Sequence, residues 1–494
     1  MQYLKPILLS ITILLFSACV SKSPIHNAAK NGDIYSIKEF LEDGGDIEAP
    51  PPKHPWTGFY IWDGNKPLHM AVEASQKEAI NYLLSKNANI EAKNSNGETP
   101  LLLSAKHGLL DISKLLLQKD ANIFAKNDAG DTVLHTTLKS FKNQKNKALL
   151  NATFYINQKA SINVQNNWGD TPFHLASKYN LVEVMKLLEK NNALLSIKNK
   201  YGNTPIFLTL NTSFIPYSTL DSKAFEYLIN KDLNFKDKNK KKQTLLHRTC
   251  NPKYIEKLIK KGISINEEDK DGDTPPFLAI KKCPKKAIIK YLENGFNIKS
   301  TNKKGESPLF VALSNRYFQE ELVQTLIKYK ADIHQKDKKG NSILHKASTS
   351  NPKIIDLILS KGVDINIKTK VDSTPLHRAS SIRVSYKKGI DPTLEAFKYL
   401  LSKENIDLNV QDKRGCTPLI RAISNGNFQK AKLLIKKGAN LNLKENKGHT
   451  PLDIAMLSRN KNKQNLIEFL KKHGAITNIN PSLKKSYSII CSYP

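Results

Sequence analysis

The pattern of apolar and polar positions is clearest across residues 169–200, where it predicts two short helices and a turn. Thr171 and Pro172 favour a helix start, because threonine accepts from free backbone N–H groups and proline has no N–H to satisfy. From Leu181 onward, apolar residues recur at the spacing of one helix face. The polar residues that follow predict a turn. The stretch therefore predicts one helix-turn-helix unit.

The same unit recurs along most of the chain. It begins again at Thr204, 33 residues after Thr171, and many successive spacings are 32 to 35 residues. Each copy opens with a short anchor such as Thr-Pro-Phe-His or Thr-Pro-Leu-His. The thirteen anchors start at Ser23, Lys66, Thr99, Thr132, Thr171, Thr204, Thr244, Thr274, Ser307, Ser342, Thr374, Thr417 and Thr450. A period of this length is typical of a solenoid repeat.

The repeat resembles the ankyrin repeat, whose unit is a β-turn and two antiparallel helices with a T-P-L-H-x-A signature. The resemblance implies an all-α fold, an ankyrin-repeat α-solenoid of about 13 helix-turn-helix units with β-turn or hairpin fingers, over residues 23–476. Each unit contacts its neighbours, so we expect one elongated domain. Residues 477–494 are a C-terminal tail or cap, and the sequence leaves open whether they cover the last unit.

The apolar run within residues 1–18 is shorter than the roughly 20 residues that span a bilayer. A run of this length suits a cleaved secretory signal, so residues 1–18 are predicted to be a signal peptide. The segment resembles a bacterial lipoprotein signal, with Cys19 as the lipidated first residue and 19–22 as a tether. Phe16 departs from that motif and leaves an ordinary secretory signal cut near Ala18 as the alternative. We expect an exported protein, lipid-anchored to a membrane of the bacterial cell envelope on its periplasmic or surface face.

Seven histidines occupy the fourth anchor position: His26, His69, His135, His174, His247, His345 and His377. Equivalent positions in neighbouring repeats should be about 10 Å apart. The ligands of one zinc ion each lie about 2 Å from it. A metal site is therefore disfavoured. In the ankyrin family this histidine hydrogen-bonds the backbone between adjacent units, and the resemblance implies the same here.

Four cysteines remain if Cys19 carries lipid, and an even number in an exported protein suggests disulfides. Cys250 and Cys283 lie on the first helices of adjacent repeats, at non-equivalent positions. A disulfide needs Cα atoms within about 7 Å, which is closer than one repeat step. The sequence therefore favours free thiols over a bridge.

The sequence contains none of the local motifs that mark a hydrolase elbow, a phosphate loop, a zinc protease or a dinucleotide site. Its repeated acidic residues lie in predicted turns, where aspartate closes loops. We therefore predict a protein that is not an enzyme and has no cofactor.

The charge is strongly asymmetric. Of the net +32, residues 1–200 contribute +5 (23 basic and 18 acidic), and residues 201–494 contribute +27 (54 and 27). Such asymmetry indicates an anionic partner such as a polymer or lipid headgroups. The other interpretation is a lysine-rich composition on a solvated surface. Arginine, the better phosphate ligand, is scarce, which makes a nucleic acid partner unlikely.

In the ankyrin family, partners usually bind the concave face, built from the finger residues before the anchor and the exposed end of the first helix. Trp168 and Tyr201 would be neighbouring finger tips, and exposed aromatics are typical interface anchors. The alternative is that each ring packs on the next finger. The resemblance places partner binding at Asn167, Trp168, Asp170, Lys178, Tyr179, Lys200, Tyr201 and Asn203.

The fingers of the later repeats carry basic residues in place of aromatics. In successive copies they would form a basic ribbon, made of Lys240, Lys241, Lys270, Lys303, Lys304, Lys338, Lys339, Lys370, Lys413, Arg414 and Lys447. The sequence predicts a protein–protein interaction scaffold of unknown partner. The alternative is an electrostatic binder of anionic membrane or envelope polymers through the C-terminal two-thirds.

Overall fold

The computed structural model describes residues 24–53, 61–210, 221–315, 319–382, 393–458, 463–478 and 491. Within these residues the chain divides into two compact units. The N-terminal unit ends at Arg248 and the C-terminal unit begins at Thr249, inside the repeat that starts at Thr244. The predicted signal and tether, including Cys19, lie outside the described residues.

The N-terminal unit alternates a first and a second helix in each repeat. Its described helices are α1 Pro24–Asn31, α2 Ile34–Glu42, the 3₁₀ helix η1 Ile61–Gly64, α3 Pro67–Glu73, α4 Lys77–Ser85, α5 Pro100–His107, α6 Leu110–Gln118, α7 Val133–Ser140, α8 Lys145–Asn157, α9 Pro172–Lys178, α10 Val182–Lys190, α11 Pro205–Thr209, α12 Lys223–Ile229 and the 3₁₀ helix η2 Leu245–Arg248.

The C-terminal unit continues the same alternation. Its described helices are α13 Pro252–Lys260, α14 Pro275–Lys282, α15 Lys285–Glu293, α16 Pro308–Ala312, α17 Gln319–Lys328, α18 Ile343–Ala347, α19 Pro352–Leu359, α20 Pro375–Ser381, α21 Leu394–Leu401, α22 Pro418–Ser424, α23 Phe428–Lys436, α24 Pro451–Leu457 and α25 Lys463–Lys472. No strand occurs in the described ranges, where an isolated bridge joins Lys336 and Ser342. The predicted all-α repeat fold is confirmed.

The repeats start as the anchor predicts. Thr171 is extended, with φ −87° and ψ 166°, and its side chain accepts from the backbone N–H of His174 at 3.3 Å. In return His174 Nδ1 accepts from the backbone N–H of Thr171 at 3.2 Å. This reciprocal capping satisfies two N–H groups at the start of α9.

The two helices of a repeat are buried differently. In α9, every residue from Pro172 to Ser177 is buried, so the first helix lies between its neighbours on all sides. In α10, Val184, Met185 and Leu188 are buried while the other face meets solvent. The core of each unit is therefore one continuous apolar layer between first and second helices, as the sequence period requires.

The prediction of free thiols is wrong. Cys250 and Cys283 form a disulfide with Cα atoms 5.3 Å apart. The sequence argument placed both cysteines on helices, one full step apart. In the structure η2 ends at Arg248 and α14 ends at Lys282, so both cysteines lie in the connections after those helices. The two connections approach closely enough for a disulfide.

A second disulfide joins Cys416, in the finger before α22, to Cys491 of the tail, with Cα atoms 6.1 Å apart. Cys491 is fully buried, and its carbonyl accepts from the Arg421 guanidinium at 3.1 Å. The start of the tail also contacts the last repeat, because Thr477 donates to Asp453 at 2.6 Å. The described part of the tail therefore packs on the last two repeats.

Candidate functional site

The finger before each first helix is a tight turn, and successive fingers in the N-terminal unit join through their backbones. Each bond runs from the tip of one finger to the carbonyl of the preceding tip. The bonds are Ser95 N to Asp63 O at 2.8 Å, Asp128 N to Asn96 O at 3.1 Å, Asn167 N to Ala129 O at 2.9 Å, Lys200 N to Trp168 O at 2.9 Å and Lys240 N to Tyr201 O at 2.9 Å. Side chains on these tips are therefore held in a regular row.

An asparagine five residues before the anchor organises each of these fingers. Asn199 Oδ1 accepts from the backbone N–H of Tyr201 at 2.9 Å and of Asn203 at 3.0 Å. Asn199 Nδ2 donates to Asp170 Oδ1 of the preceding finger at 2.7 Å. The same donation joins Asn94 to Asn65 at 2.9 Å, Asn166 to Asp131 at 2.8 Å and Asn239 to Asn203 at 3.1 Å. We call this row of side chains the amide ladder.

The amide ladder was not predicted, although the sequence carries its signal. Asparagine recurs five residues before the anchors at Thr99, Thr132, Thr171, Thr204 and Thr244. An amide suits this position because it accepts within its own finger and donates to the preceding finger. In the C-terminal unit the same position holds Asp269, Asn302, Asp337, Thr369, Asp412 and Glu445. Carboxylates accept within the finger but have no N–H to donate.

Gly169 allows the finger to turn beside its neighbour. Its φ is +76°, in the left-handed region that favours glycine. A Cβ at this position would lie 2.6 Å from the backbone nitrogen of Lys200. A side chain here would therefore break the close approach of the two tips that carry Trp168 and Tyr201.

Trp168 is 43% exposed, and one face of its ring is covered by a lysine that the sequence analysis did not single out. Lys139 Nζ lies 4.5 Å from the ring centroid and 2.5 Å from Asp131 Oδ2. The buried carboxylate of Asp131 holds the ammonium group in place, and the ammonium group orients the ring. The ring thus packs in part on the preceding repeat and still presents surface to solvent.

The other aromatic residues of the site differ in exposure. Tyr201 is 59% exposed. Tyr179 is half-buried, and burial raises the pKa of its hydroxyl, with the negative charges of Asp170 and Asp131 adding to the effect. Lys178 is exposed, and its Nζ lies 5.6 Å from the Tyr179 ring centroid. Tyr201 is therefore the most accessible ring of the three.

The remaining predicted site residues have structural contacts of their own. Asn167 donates from its side chain to Asp128 O at 2.7 Å. Lys200 is exposed, and its backbone N–H reaches Trp168 O. Asn203 accepts from the His174 ring through its carbonyl at 3.1 Å. The structure thus places all eight predicted residues on two adjacent fingers and one helix end, and it assigns several of them to holding the fingers together.

The anchor histidines connect neighbouring repeats, as the resemblance implies. Nδ1 accepts from the anchor backbone, so Nε2 carries the proton and donates to a carbonyl one repeat ahead. The acceptors are Glu98 for His69 (2.9 Å), Asp170 for His135 (2.9 Å), Asn203 for His174 (3.1 Å), Ser373 for His345 (2.8 Å) and Cys416 for His377 (2.8 Å). Burial lowers the pKa of His69, His135, His345 and His377 to about 4.

The residues of the predicted basic ribbon are divided between the two units. All eleven of its side chains are exposed. Lys240 and Lys241 belong to the N-terminal unit and the other nine to the C-terminal unit. Lys303 lies 3.4 Å from Glu268, and Lys338 donates to the Lys303 carbonyl at 2.6 Å. The ribbon is thus partly engaged in contacts between its own fingers.

The described residues contain no group of three or more His, Cys, Asp or Glu side chains placed to hold a metal ion. Nor does any helix among them have the length and apolar character needed to cross a membrane.

Two family models match the sequence. One, described as ankyrin repeats (3 copies), matches residues 10–94, 68–160, 277–369, 316–387 and 376–481. The other, described as ankyrin repeats (many copies), matches residues 155–206. Together the matches cover well over half of the chain.

Several animal proteins are similar to this chain. The transient receptor potential cation channel subfamily A member 1 of Homo sapiens is 26% identical over 409 residues, which are 81% of this chain and 32% of that protein. Alpha-latrotoxin-Lt1a of Latrodectus tredecimguttatus is 36% identical over 104 residues, 21% of this chain and 7% of the toxin. The 2-5A-dependent ribonuclease of Mus musculus is 32% identical over 82 residues, 17% of this chain and 10% of the ribonuclease. The chain thus spans about a third or less of each of these relatives.

Proposed function

This chain belongs to the ankyrin-repeat family, and we propose that it is an exported, membrane-tethered scaffold that binds a protein partner on the fingers around Trp168 and Tyr201. Ankyrin repeats are generally modules for protein–protein interaction and not enzymes. The observation that carries the proposed site is the pair of exposed rings on adjacent tips, 43% and 59% accessible, on a rigidly bonded finger row.

The rigidity of the fingers supports a binding role. Rings that are already oriented lose little conformational entropy when a partner covers them. Trp168 is oriented by Lys139, and the backbone bond from Lys200 to Trp168 O fixes the spacing of the two tips. Tryptophan and tyrosine are also the residues that most often contribute a large share of interface energy.

The test compares the aromatic tips with the basic ribbon. A Trp168→Ala, Tyr201→Ala double variant should weaken partner binding by at least about 2 kcal/mol. Reversal of Lys303, Lys304, Lys338 and Lys339 to glutamate should mainly slow association and reduce salt sensitivity. Partners are captured from envelope extracts with the wild-type chain, and binding kinetics of the purified partner are then measured for each variant at two salt concentrations.

Three outcomes decide between the surfaces. Loss of binding in the aromatic variant alone supports the site at Trp168 and Tyr201. Loss in the lysine variant alone replaces it with the alternative, an electrostatic binder of anionic membrane or envelope polymers. The exposure of all eleven ribbon residues favours keeping that alternative. Unchanged binding in both variants means that neither finger surface is the site.

Export has separate support. Disulfides persist in oxidising compartments and are rare in the cytosol, and this chain forms two of them. For the lipid anchor, Cys19→Ala should release the protein from the membrane fraction into the soluble fraction. Mass spectrometry of the mature protein checks acylation directly, and a mature chain without lipid overturns the tether while leaving export intact.

A further inference from the structure

The acidic residue directly before the anchor is paired with a lysine in four of the five repeats that have one. Glu98 pairs with Lys106 at 3.1 Å and Asp131 with Lys139 at 2.5 Å. Asp273 pairs with Lys281 at 2.5 Å and Glu306 with Lys346 at 3.1 Å. The fifth is Asp170, and none of the described residues forms an ion pair with it.

The sequence gives no reason for this exception. Lys178 follows Asp170 by eight residues, the same separation as in Glu98–Lys106, Asp131–Lys139 and Asp273–Lys281. In the structure its Nζ is directed to the ring of Tyr179, 5.6 Å from the centroid. Among the described side chains, Asp170 accepts from the neutral amide of Asn199 at 2.7 Å. Among the described residues, its negative charge is therefore not neutralised by an ion pair.

The Asp170 carboxylate belongs to the finger that carries Trp168 and contacts the finger that carries Tyr201. Trp168 and Asp170 flank Gly169 in one finger, and the Asn199 amide that contacts Asp170 belongs to the finger whose tip is Tyr201. The Trp168 face covered by Lys139 is one of two, and the ring remains 43% exposed. A half-buried carboxylate beside aromatic rings is the environment that attracts a cation.

We propose that this site takes a cationic side chain of the partner protein, an arginine, whose guanidinium pairs with the Asp170 carboxylate and lies against the rings of Trp168 and Tyr201. The guanidinium group suits the site because it is planar, stacks on aromatic faces and pairs with carboxylates through two parallel hydrogen bonds. The partner's arginine thus takes the place that Lys106, Lys139 and Lys281 occupy in the other repeats. This inference rests on the proposed protein-binding function and names the chemistry that the partner presents.

The probe is N-acetyl-arginine methylamide, titrated into the full chain labelled with 5-fluorotryptophan and followed by ¹⁹F NMR. The chain has three tryptophans, and a Trp168→Phe variant assigns the resonance of Trp168. N-acetyl-citrulline methylamide has nearly the same shape and no charge, so it is the matched control ligand. It requires no variant, and its result does not depend on whether a substitution disturbs folding.

The arginine probe should shift the Trp168 resonance and saturate, and the citrulline probe should bind at least about tenfold more weakly, as expected for loss of a charge-assisted hydrogen bond. Asp170→Asn keeps an oxygen that accepts from Asn199, and it should weaken binding of the arginine probe by a similar factor. Glu98→Gln removes the charge of the equivalent residue in a repeat where that residue pairs with a lysine. It should leave the affinity for the arginine probe unchanged.

Equal affinity for the two probes, no shift with the arginine probe, or an unaffected Asp170→Asn variant each overturns the inference. If the inference fails while the Trp168→Ala, Tyr201→Ala variant still weakens binding of the captured partner, the proposed protein-binding site stands with a partner of different chemistry. If the Trp168→Ala, Tyr201→Ala variant also binds the captured partner as tightly as the wild-type chain, the proposed function at this site fails too.

Discussion

The N-terminal and C-terminal units have the same repeat and differ in the side chains that join their fingers. In the N-terminal unit, asparagines such as Asn199 donate from finger to finger. In the C-terminal unit, most of those positions carry a carboxylate or threonine, and backbone bonds such as Lys413 N to Val371 O at 3.1 Å still join the tips. The two disulfides of this unit lie elsewhere, one between the connections after two first helices and one between a finger and the tail. The comparison teaches that backbone bonds keep the finger row in both units, and that the side chains around the tips can then differ in chemistry.

The tips differ accordingly. Trp168 and Tyr201 are exposed rings in the N-terminal unit, whereas the ribbon of the C-terminal unit is basic. The Asp337 carboxylate, at the base of a later finger, accepts from the backbone N–H of Lys339 and so places negative charge beside a basic tip. A partner that recognises shape and aromatic surface and one that recognises charge would therefore choose different units.

Reduction of the disulfides is expected to have the largest effect, and it should fall on the C-terminal unit. The bridges close 33 and 75 residues. Loop-closure entropy assigns them roughly 3.7 and 4.5 kcal/mol. Urea unfolding is followed with and without dithiothreitol. Far-UV circular dichroism should show a destabilised transition in the reduced protein.

Tryptophan fluorescence provides the matched control for reduction. All three tryptophans, Trp56, Trp62 and Trp168, precede the C-terminal unit in the sequence, and Trp168 lies in the described part of the N-terminal unit. The fluorescence transition should therefore keep its midpoint when the disulfides are reduced. A fluorescence midpoint that falls as far as the circular dichroism midpoint contradicts independent stabilisation of the two units.

Acidification should affect both units alike, because the anchor histidines are common to them. Burial lowers the pKa of His69 and His135 in one unit and of His345 and His377 in the other to about 4, against about 6.5 when unfolded. The unfolded chain therefore takes up protons that the folded chain excludes. Stability is full above pH 6.5 and falls as the pH drops toward 4, by roughly 1.4 kcal/mol per histidine at pH 5.5.

Urea midpoints at pH 7.5 and pH 5.5 test the histidine prediction. Both the fluorescence and the circular dichroism transitions should move to lower urea at pH 5.5. Equal or higher midpoints at the lower pH would mean that these rings are not held neutral in the folded state.

The sequence predicts the fold well because the fold depends on short-range features. The helix start at Thr171 and the apolar face of α10 follow from residues within one repeat. The bond from His174 to the next repeat is what the resemblance to the ankyrin family implies. These features recur, so each copy supports the interpretation of the others. The same logic predicts that Trp168 and Tyr201 lie on adjacent finger tips, where both rings are exposed, and their role in binding stays a prediction.

What the sequence could not give depends on contacts between repeats that deviate from the average. The Cys250–Cys283 bridge depends on η2 being a single turn, which moves Cys250 out of the helix. Lys139 contacts Trp168 because Asp131 orients it, whereas Lys178 at the equivalent position turns to Tyr179. Two lysines in the same pattern thus differ in three dimensions, and the repeat pattern alone cannot distinguish them.

An exchange of ladder residues would sharpen the comparison of the units. Asn199→Asp removes the Nδ2 donor and puts a carboxylate beside Asp170, which should cost about 1–3 kcal/mol. Asp337→Asn supplies a donor toward Glu306 of the preceding finger, and it should change stability by less than about 0.5 kcal/mol in either direction. Fluorescence reports the first variant and circular dichroism the second. Equal destabilisation by both would show that the amide ladder is not specific to the N-terminal unit.

The smallest expected effect tests whether the difference between the units is confined to the fingers. The Thr171 side chain accepts from His174 N at 3.3 Å, and the Thr374 side chain accepts from His377 N at 3.4 Å. Each is buried and faces a reciprocating histidine, so Thr171→Ala and Thr374→Ala should both cost about 1 kcal/mol through the lost cap.

Thr204 is the control for these two caps. It is buried and extended like Thr171, but its side chain makes no capping hydrogen bond. Thr204→Ala therefore removes the same atoms without a cap, and it should cost a few tenths of a kcal/mol less than the other two changes. The three variants are compared by urea unfolding at pH 7.5. The free-energy losses of Thr171→Ala and Thr374→Ala should resemble each other more than either resembles the loss of Thr204→Ala. The opposite result would mean that the helix starts differ between the two units, and that the difference between the units is not confined to the fingers.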